Sequence, residues 1–307
     1  MIKLSRQTKE IVKTILFFGA VALLLLVYVI YPLSRSKKLM ARSDIDQYNQ
    51  DSLVANDAGA YLQAGLPVDT FRFESDAMTI LACLKVPAKE DTGSYIRGTA
   101  ILLHDDGANR DSLINLARMF HDTGFAVITL DLRAAGKTTG KYRGEGYLEA
   151  TDIQSLISHL EIHGQISHPL LIVGYGRGAE AARLTTFEEQ RVDAVIAVRP
   201  YLTTKRMQDI LKQRYDTYWF PFYRTIMWWW YNIRSGYGAP YRDTENLRPV
   251  EKPTVIYLEP QDLDIEEINR LKEISSGELL EVLPLPAGDQ EIFEKAVSLA
   301  ATIRSNS

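Results

Sequence analysis

The sequence predicts an α/β domain built on a mostly parallel sheet of eight strands, with helices on both faces. Two observations lead to this prediction. Short runs that are apolar throughout alternate with longer segments of helical periodicity, a pattern typical of parallel sheets that are covered on both sides. The 307 residues are 46% hydrophobic with ordinary charge content, so the chain can bury one substantial core.

The first two strands are predicted at residues 69–74 and 78–86. The turn residues Ser75 and Asp76 separate them, so we expect an antiparallel hairpin. Further strands are predicted at 99–103, 126–130, 169–173, 194–198, 253–258 and 279–283, with helices at 111–122, 147–163, 265–274 and 290–304. This alternation of strand and helix predicts a parallel arrangement for the rest of the sheet.

Residues 14–33 are predicted to form a single transmembrane helix. They carry no charge, and about 20 apolar residues span the roughly 30 Å of a bilayer core. A cleaved signal peptide would have a shorter apolar core and a small-residue cleavage site, whereas this core continues into Tyr31-Pro32 and basic residues. We therefore expect a tail at 1–13, a membrane anchor at 14–33, a stalk at 34–66 and a folded domain at 67–307.

The sequence gives little indication of which end of this helix faces the cytoplasm. Basic residues flank it on both sides, namely Lys3, Arg6, Lys9 and Lys13 before it and Arg35, Lys37, Lys38 and Arg42 after it. The positive-inside rule needs an imbalance between the two sides. Because short N-terminal tails generally stay inside, the folded domain is predicted to lie outside the cytoplasm.

Charge and cysteine content exclude several classes of function. The formal net charge of −4 argues against a nucleic-acid partner, which usually requires a basic face. Cys83 is the single cysteine, so an internal disulfide and a zinc cluster of several cysteines are impossible. Its apolar surroundings favour a buried, inert thiol. No cofactor is predicted.

Residues 170–180 are the most informative segment, because they predict a strand, a glycine-rich turn and a helix. The turn residues Gly174 to Gly178 fit G-x-S-x-G, the nucleophile elbow of serine hydrolases, with Gly176 at the position of the serine. They also fit the dinucleotide pattern G-x-G-x-x-A. That pattern needs an acidic residue after the next strand, which here ends in Arg199, so only a version that recognises a 2′-phosphate stays open.

Other motifs favour the elbow. They are His104 with Gly107 and Arg110 after the third strand, Asp131-Leu132-Arg133-Ala134-Ala135-Gly136 after the fourth, Asp262 after the seventh and Gly288-Asp289 after the eighth. Through these motifs the chain resembles the α/β-hydrolase fold family over residues 61–307, and specifically its membrane-anchored serine-peptidase and esterase-like members. The resemblance implies an oxyanion loop at His104, a catalytic acid at Asp262 and a catalytic histidine at position 289.

The catalytic positions depart from this family. Gly176 replaces the nucleophile and Asp289 replaces the histidine, so Asp262 is the one triad position that is retained. The oxyanion loop is also changed, because the family glycine after His104 is Asp105, and Asp106 follows it. Two carboxylates at this point oppose the stabilisation of a developing oxyanion.

Five carboxylates, Asp105, Asp106, Asp262, Asp264 and Asp289, are expected at one edge of the sheet. Oxygen ligands suit hard cations, but no closely spaced D-x-D-x-D pattern is present, and no metal is predicted. The alternative is that Arg177, with Arg110 or Arg133, pairs with these acids and fills the former pocket with salt bridges.

An aromatic segment lies within a predicted cap insertion at about 201–250. Ten of the residues 215–231 are aromatic, including all four tryptophans, Trp219, Trp228, Trp229 and Trp230. Three interpretations stay open. The segment packs on the domain as a cap, lies at the membrane interface, or binds a ligand or another protein.

The sequence thus predicts a membrane-anchored pseudoenzyme, in which a hydrolase fold serves binding or scaffolding. The missing catalytic groups outweigh the architecture, since a fold by itself does not establish a function. Two alternatives are an active esterase or peptidase with a displaced nucleophile, and a module that binds small molecules or nucleotides. The ligand or protein partner is not identified by the sequence.

Overall fold

The computed structural model describes residues 6–41, 58–75, 79–89, 98–140, 142–203, 206–207, 229, 250–259, 265–275 and 279–306. The chain divides into two compact units. The first contains the N-terminal helix, and the second contains the sheet.

The N-terminal unit is a long apolar helix. Helix α1 (Arg6–Leu25) continues through one π-helical turn (Leu26–Ile30) into α2 (Tyr31–Met40). The stretch Arg6–Ser34 is long and apolar enough to cross a membrane, and none of its most apolar window is buried within the protein. This helix contains the predicted span 14–33 and is a candidate membrane anchor. A signal sequence near the N-terminus has the same character.

The second unit contains one sheet of eight strands, as predicted. The strands are β1 (Asp69–Glu74), β2 (Ile80–Val86), β3 (Gly98–Leu103), β4 (Phe125–Leu130), β5 (Leu170–Tyr175), β6 (Ala194–Val198), β7 (Thr254–Leu258) and β8 (Leu280–Pro284). Their order is β1-β2-β4-β3-β5-β6-β7-β8. Strand β2 is antiparallel to β1 and β4, and every other pairing is parallel.

Helices cover both faces of this sheet. They are α3 (Gly59–Gln63), α4 (Ile114–Asp122, entered through a 3₁₀ turn at Arg110–Leu113), α5 (Tyr147–Ile162), α6 (Arg177–Thr185), α7 (Ile265–Ile274) and α8 (Asp289–Asn306). Alternate strand residues point to opposite faces. Ile101 and Ile172 pack in the core that contains residues of α5 and α6, while Leu102 and Val173 pack in the core that contains residues of α4 and α8.

The folded unit begins earlier than the sequence suggested. The predicted stalk at 34–66 includes Tyr61 and Leu66, which are buried in the sheet's core. The Tyr61 hydroxyl also donates to the carbonyl of Arg110 at 2.8 Å. These contacts place residues 58–66 in the domain, because a buried tyrosine with a long-range hydrogen bond is part of the packed structure and not of a linker. Cys83 is buried as expected, and burial raises the pKa of its thiol.

Candidate active site

Gly176 lies at the tip of the turn that joins β5 to α6. Its backbone has φ +51° and ψ −112°, the left-handed region that glycine enters without penalty. Its neighbours in the motif are glycines for a packing reason. A Cβ on Gly174 would lie 2.3 Å from the carbonyl oxygen of Gly178, and a Cβ on Gly178 would lie 2.8 Å from the Cβ of Leu103. The turn is thus built as an elbow in which α6 packs closely against β5 and β3.

The carboxylate of Asp105 occupies the space next to this tip. A Cβ built on Gly176 would lie only 1.6 Å from Oδ1 of Asp105, much closer than two non-bonded atoms can approach. The Asp105 carboxylate therefore fills the volume that a serine side chain at residue 176 would need.

The same carboxylate is bound by two backbone amides. In α/β-hydrolases the oxyanion hole consists of the N–H after the nucleophile and an N–H from the loop after the third strand. The corresponding groups here are the N–H of Arg177 and the N–H of Asp106. They donate to Oδ1 of Asp105 at 3.2 Å and 2.7 Å. Both amides at the positions that correspond to an oxyanion hole are therefore bound to a carboxylate of the protein itself.

Arg199 completes this arrangement from the end of β6. Its Nη2 donates to Oδ2 of Asp105 at 3.3 Å, and its Nη1 lies 3.7 Å from Oε1 of Glu259. Arg199 has φ +57°, an uncommon backbone conformation for a non-glycine residue. The side chains of Asp105 and Arg199 are 30% and 42% exposed, so solvent reaches both.

His104 is held as a neutral structural group. Its Nε2 accepts a hydrogen bond from the N–H of Leu132 at 2.9 Å, which places the ring proton on Nδ1. Nδ1 lies 2.7 Å from the carbonyl oxygen of Asp105 and donates to it. Burial lowers the pKa of His104. Both ring nitrogens are engaged, so the ring has no lone pair available for a substrate proton.

A buried ionic network lies beneath the elbow. The Nη1 of Arg177 donates to Glu149 at 3.2 Å and to the carbonyl of Arg133 at 3.3 Å, and its Nε lies 4.0 Å from Oδ1 of Asp106. Asp106 also accepts from Nη1 of Arg143 at 2.5 Å. These side chains are almost fully buried. Of the expected pairings between acids and arginines, the structure brings together Arg177 and Asp106.

Arg110 and Arg133 pair with other acids than those expected. Arg133 binds Asp152 through two bonds of 2.7 Å and 2.8 Å. The Nε of Arg110 lies 3.7 Å from Asp131. Asp131 also accepts from the backbone N–H of Arg110 at 2.9 Å and of Lys137 at 2.8 Å. The motif at 131–136 is therefore a rigid turn that Asp131 closes.

Asp289 is the first residue of α8 and contacts the elbow strand. It accepts a hydrogen bond of 2.7 Å from the hydroxyl of Tyr175. Burial, followed by this contact with Asp289, raises the pKa of the Tyr175 phenol. The position where the family resemblance implies a histidine thus holds a carboxylate that is engaged with the residue preceding Gly176.

The first residues after β6 bind the elbow helix and its neighbour. The N–H of Leu202 donates to Glu180 of α6 at 3.1 Å, and the hydroxyl of Tyr201 donates to Glu145 at 3.1 Å. Burial raises the pKa of Glu145. The first residues of the predicted cap insertion at 201–250 are therefore held against the folded domain by these two hydrogen bonds.

Several predicted site residues lie outside the described residues. These are Asp262, Asp264, Trp219, Trp228 and Trp230, with most of the cap insertion. Trp229 is described and exposed. Within the described part of the chain, no group of three or more histidine, cysteine, aspartate or glutamate side chains is placed to hold a metal ion.

Sequence reasoning missed the roles of Glu149 and Arg199. Glu149 accepts from the N–H groups of Gly144 and Gly146 at 2.9 Å and 2.8 Å, and its spacing of three residues from Gly146 is that of a capping box. This spacing was available as a signal. The contact between Arg199 and Asp105 joins residues 94 positions apart, and no local pattern indicates it.

Several solved structures that superpose on this chain are hydrolases. The chain superposes on the Pyrococcus furiosus esterase Pf2001 with a TM-score of 0.59 at 16% identity, covering 78% of this chain and 94% of the esterase. The α/β hydrolase GrgF from Penicillium sp. superposes with a TM-score of 0.53 at 15% identity, covering 76% of this chain and 98% of GrgF. A bacterial membrane phospholipase A superposes with a TM-score of 0.54 at 15% identity, covering 96% of this chain and 99% of the phospholipase. No protein-family model and no curated protein matches the sequence. The architecture is the α/β-hydrolase fold, and identity at this level supports the fold alone.

Proposed function

We propose that this chain is a membrane-anchored α/β-hydrolase-fold protein that does not hydrolyse esters or amides and serves in binding or scaffolding. The observation that carries the proposal is the Asp105 carboxylate, which is bound by both oxyanion-hole amides and fills the space beside Gly176.

Hydrolysis on this fold needs three things at the elbow. It needs a nucleophile, a base that removes the nucleophile's proton, and free donors for the developing oxyanion. Gly176 has no hydroxyl. The donors at Arg177 and Asp106 are engaged with a negative charge, which repels a developing oxyanion. His104 has both ring nitrogens bonded to the backbone.

The base position of the family gives further support. A histidine there would take the proton from the nucleophile, whereas Asp289 accepts a hydrogen bond from Tyr175. A carboxylate is in general a much weaker base than imidazole near neutral pH. Restoring the serine alone would therefore not restore the triad.

The membrane part of the proposal rests on the helix Arg6–Ser34. It is long enough to cross a bilayer and its side chains are exposed in the protein. We propose that it remains as a single-pass anchor, that the folded domain lies outside the cytoplasm, and that the cap at about 201–250 contributes ligand or membrane contacts through its tryptophans.

The central test is activity of the full-length protein in detergent. We expect no labelling by a fluorophosphonate probe, and turnover of short-chain p-nitrophenyl esters equal to that of a heat-denatured sample. A serine esterase in the same detergent is the positive control. Ester turnover above that of the denatured sample, with or without labelling, would refute the proposal.

A displaced nucleophile is the competing function, and the hydrolase names of the structural neighbours favour it. Asp105 is the candidate, because its carboxylate lies where the serine side chain would be. Fluorophosphonates would not label it, but an Asp105→Asn variant would lose any ester turnover. Turnover in the native protein that this variant abolishes would establish this alternative.

A further inference from the structure

We propose that Asp105 is a built-in competitor at an anion-binding site, and that a ligand with a free carboxylate or phosphate group displaces it and binds Arg199. The inference rests on the proposed function, because a hole used for binding an anion is not available for catalysis. The ligand is then an anion of the carboxylate or phosphate class, and Asp105 is the residue that limits its access to the site.

The bound carboxylate defines what the site recognises. One oxygen of Asp105 accepts from two backbone N–H groups, at 3.2 Å and 2.7 Å, and the other oxygen accepts from the guanidinium of Arg199 at 3.3 Å. The donors come from three separate segments, namely the elbow, the loop after β3 and the end of β6. A ligand that replaces Asp105 must present two acceptor oxygens on one small group, which carboxylates and phosphates do.

Arg199 distinguishes this site from an oxyanion hole. A guanidinium next to the hole stabilises a full negative charge that persists, and guanidinium groups recognise carboxylate and phosphate through two oxygens. The N–H of Arg199 donates to the carbonyl of Tyr257 at 2.8 Å, and this bond holds the uncommon backbone conformation at φ +57°. The backbone of Arg199 is therefore fixed to β7, and its guanidinium contacts both Asp105 and Glu259.

Displacement is physically accessible because the competitor is partly exposed. The Asp105 side chain is 30% exposed and Arg199 is 42% exposed, unlike the neighbouring Asp106, whose side chain is 3% exposed and lies against Arg143. Asp105 can leave the hole by a rotation into solvent. Asp106 cannot do so without breaking the buried network. A tethered competitor reduces the apparent affinity for a free anion to the intrinsic affinity multiplied by the fraction of time that the site is free.

The test measures anion binding to the full-length protein in detergent by thermal shift, at constant ionic strength. The ligands are acetate, inorganic phosphate and, as a neutral analogue of acetate, acetamide. In an Asp105→Ala variant we expect half-maximal stabilisation at an anion concentration about tenfold lower than in the native protein. Adding Arg199→Ala to that variant should reverse the gain, also by about tenfold.

The control Glu251→Ala removes an equal charge from an exposed position and should bind like the native protein. If Asp105→Ala does not fold, Asp105→Asn keeps the size of the side chain and should show a smaller gain in the same direction. A response to acetate, to phosphate or to both supports the proposal and identifies the group. Equal half-maximal concentrations in native and variant proteins, or equal responses to acetate and acetamide, would overturn it.

The two proposals fail separately. Ester turnover measured on the same native sample tests the loss of catalysis, whatever the anion titrations show. A protein without turnover and without unmasked anion binding would keep the proposed function and lose this inference.

Discussion

Oδ1 of Asp105 lies 1.6 Å from the point where a Cβ on Gly176 would be. A side chain at residue 176 and the carboxylate at residue 105 therefore need the same volume and cannot both occupy it. The glycine at the elbow tip and the acid after His104 are two sides of one packing arrangement.

This exclusion predicts coupling between the two positions. Gly176→Ala should destabilise the protein by about 3 kcal/mol, from left-handed strain and from the clash with Asp105. With Asp105→Gly present, only the strain remains, so the cost of Gly176→Ala should fall by more than about 1 kcal/mol. Urea unfolding of the single and double variants measures both costs.

Gly65→Ala is the matched control for backbone strain. Gly65 has φ +74°, and a Cβ there would meet nothing within 4 Å. Its cost should be about 1 kcal/mol, and Asp105→Gly should not change it. Additive costs for the pair at 176 and 105 would show that Asp105 does not hold this position in solution.

The same relationship predicts which substitutions restore a nucleophile. Gly176→Ser with Asp289→His returns two triad residues, yet the serine would meet Asp105 and the hole would stay occupied. We expect no fluorophosphonate labelling of that double variant, and measurable labelling once Asp105→Gly is added. Equal labelling of the double and triple variants would contradict the blocking role of Asp105.

The buried pair of Arg133 and Asp152 should be important for stability. Asp152→Ala leaves a guanidinium buried without its carboxylate, at a cost of about 3 to 5 kcal/mol. Asp122→Ala is the control, because its partner Lys89 and Asp122 itself are about half exposed, and such pairs contribute less than about 1 kcal/mol. Equal losses in chemical denaturation would mean that Arg133 finds another partner.

His104 should make stability depend on pH. Burial lowers its pKa in the folded protein, below the value of about 6.5 of an unfolded chain. The unfolded state then binds more protons, so the free energy of unfolding rises with pH in this window. The contribution is complete above about pH 6.5 and is lost as the pH falls below it.

The measurement compares urea unfolding of native protein and His104→Gln between pH 7.5 and 5.5. A glutamine can accept from the N–H of Leu132 but does not titrate, so the variant should lose less stability on acidification. NMR of the His104 ring should show no protonation near pH 6.5. A normal titration there, with identical slopes for both proteins, would rule out this role.

The sequence predicted the elements of the sheet well because the central strands, β3 to β7, are short and almost wholly apolar. The order β1-β2-β4-β3 was not predicted, since pairing between distant strands leaves no local pattern. The early start of the domain was also missed. Tyr61 lies in a short helix that is flanked by both polar and apolar residues, so the local sequence does not mark it as buried. Its burial depends on contacts with distant elements.

For the candidate site, motif spacing predicted that the turn at Gly176, the loop after β3 and the residues after β8 belong together, and the structure brings Gly176 and Asp105 into contact. It did not predict that Asp105 would enter the hole, because that depends on the distance between two loops 72 residues apart. The expectation that acids oppose an oxyanion was chemically sound, but the structure gives a more specific reason. The acid is itself the bound anion.

The interlock between Asp105 and Gly176 also constrains how this protein can change over evolutionary time. A serine at residue 176 is disfavoured while Asp105 stays bound to the two amides, because its side chain fits only after the Asp105 carboxylate has rotated away. Under the proposed function, a path to hydrolysis must first remove Asp105 from the two amides, and that step removes their bonding partner without any catalytic gain. On the proposed function, the neighbouring Asp105 thus makes the gain of a nucleophile at residue 176 unfavourable unless residue 105 changes first.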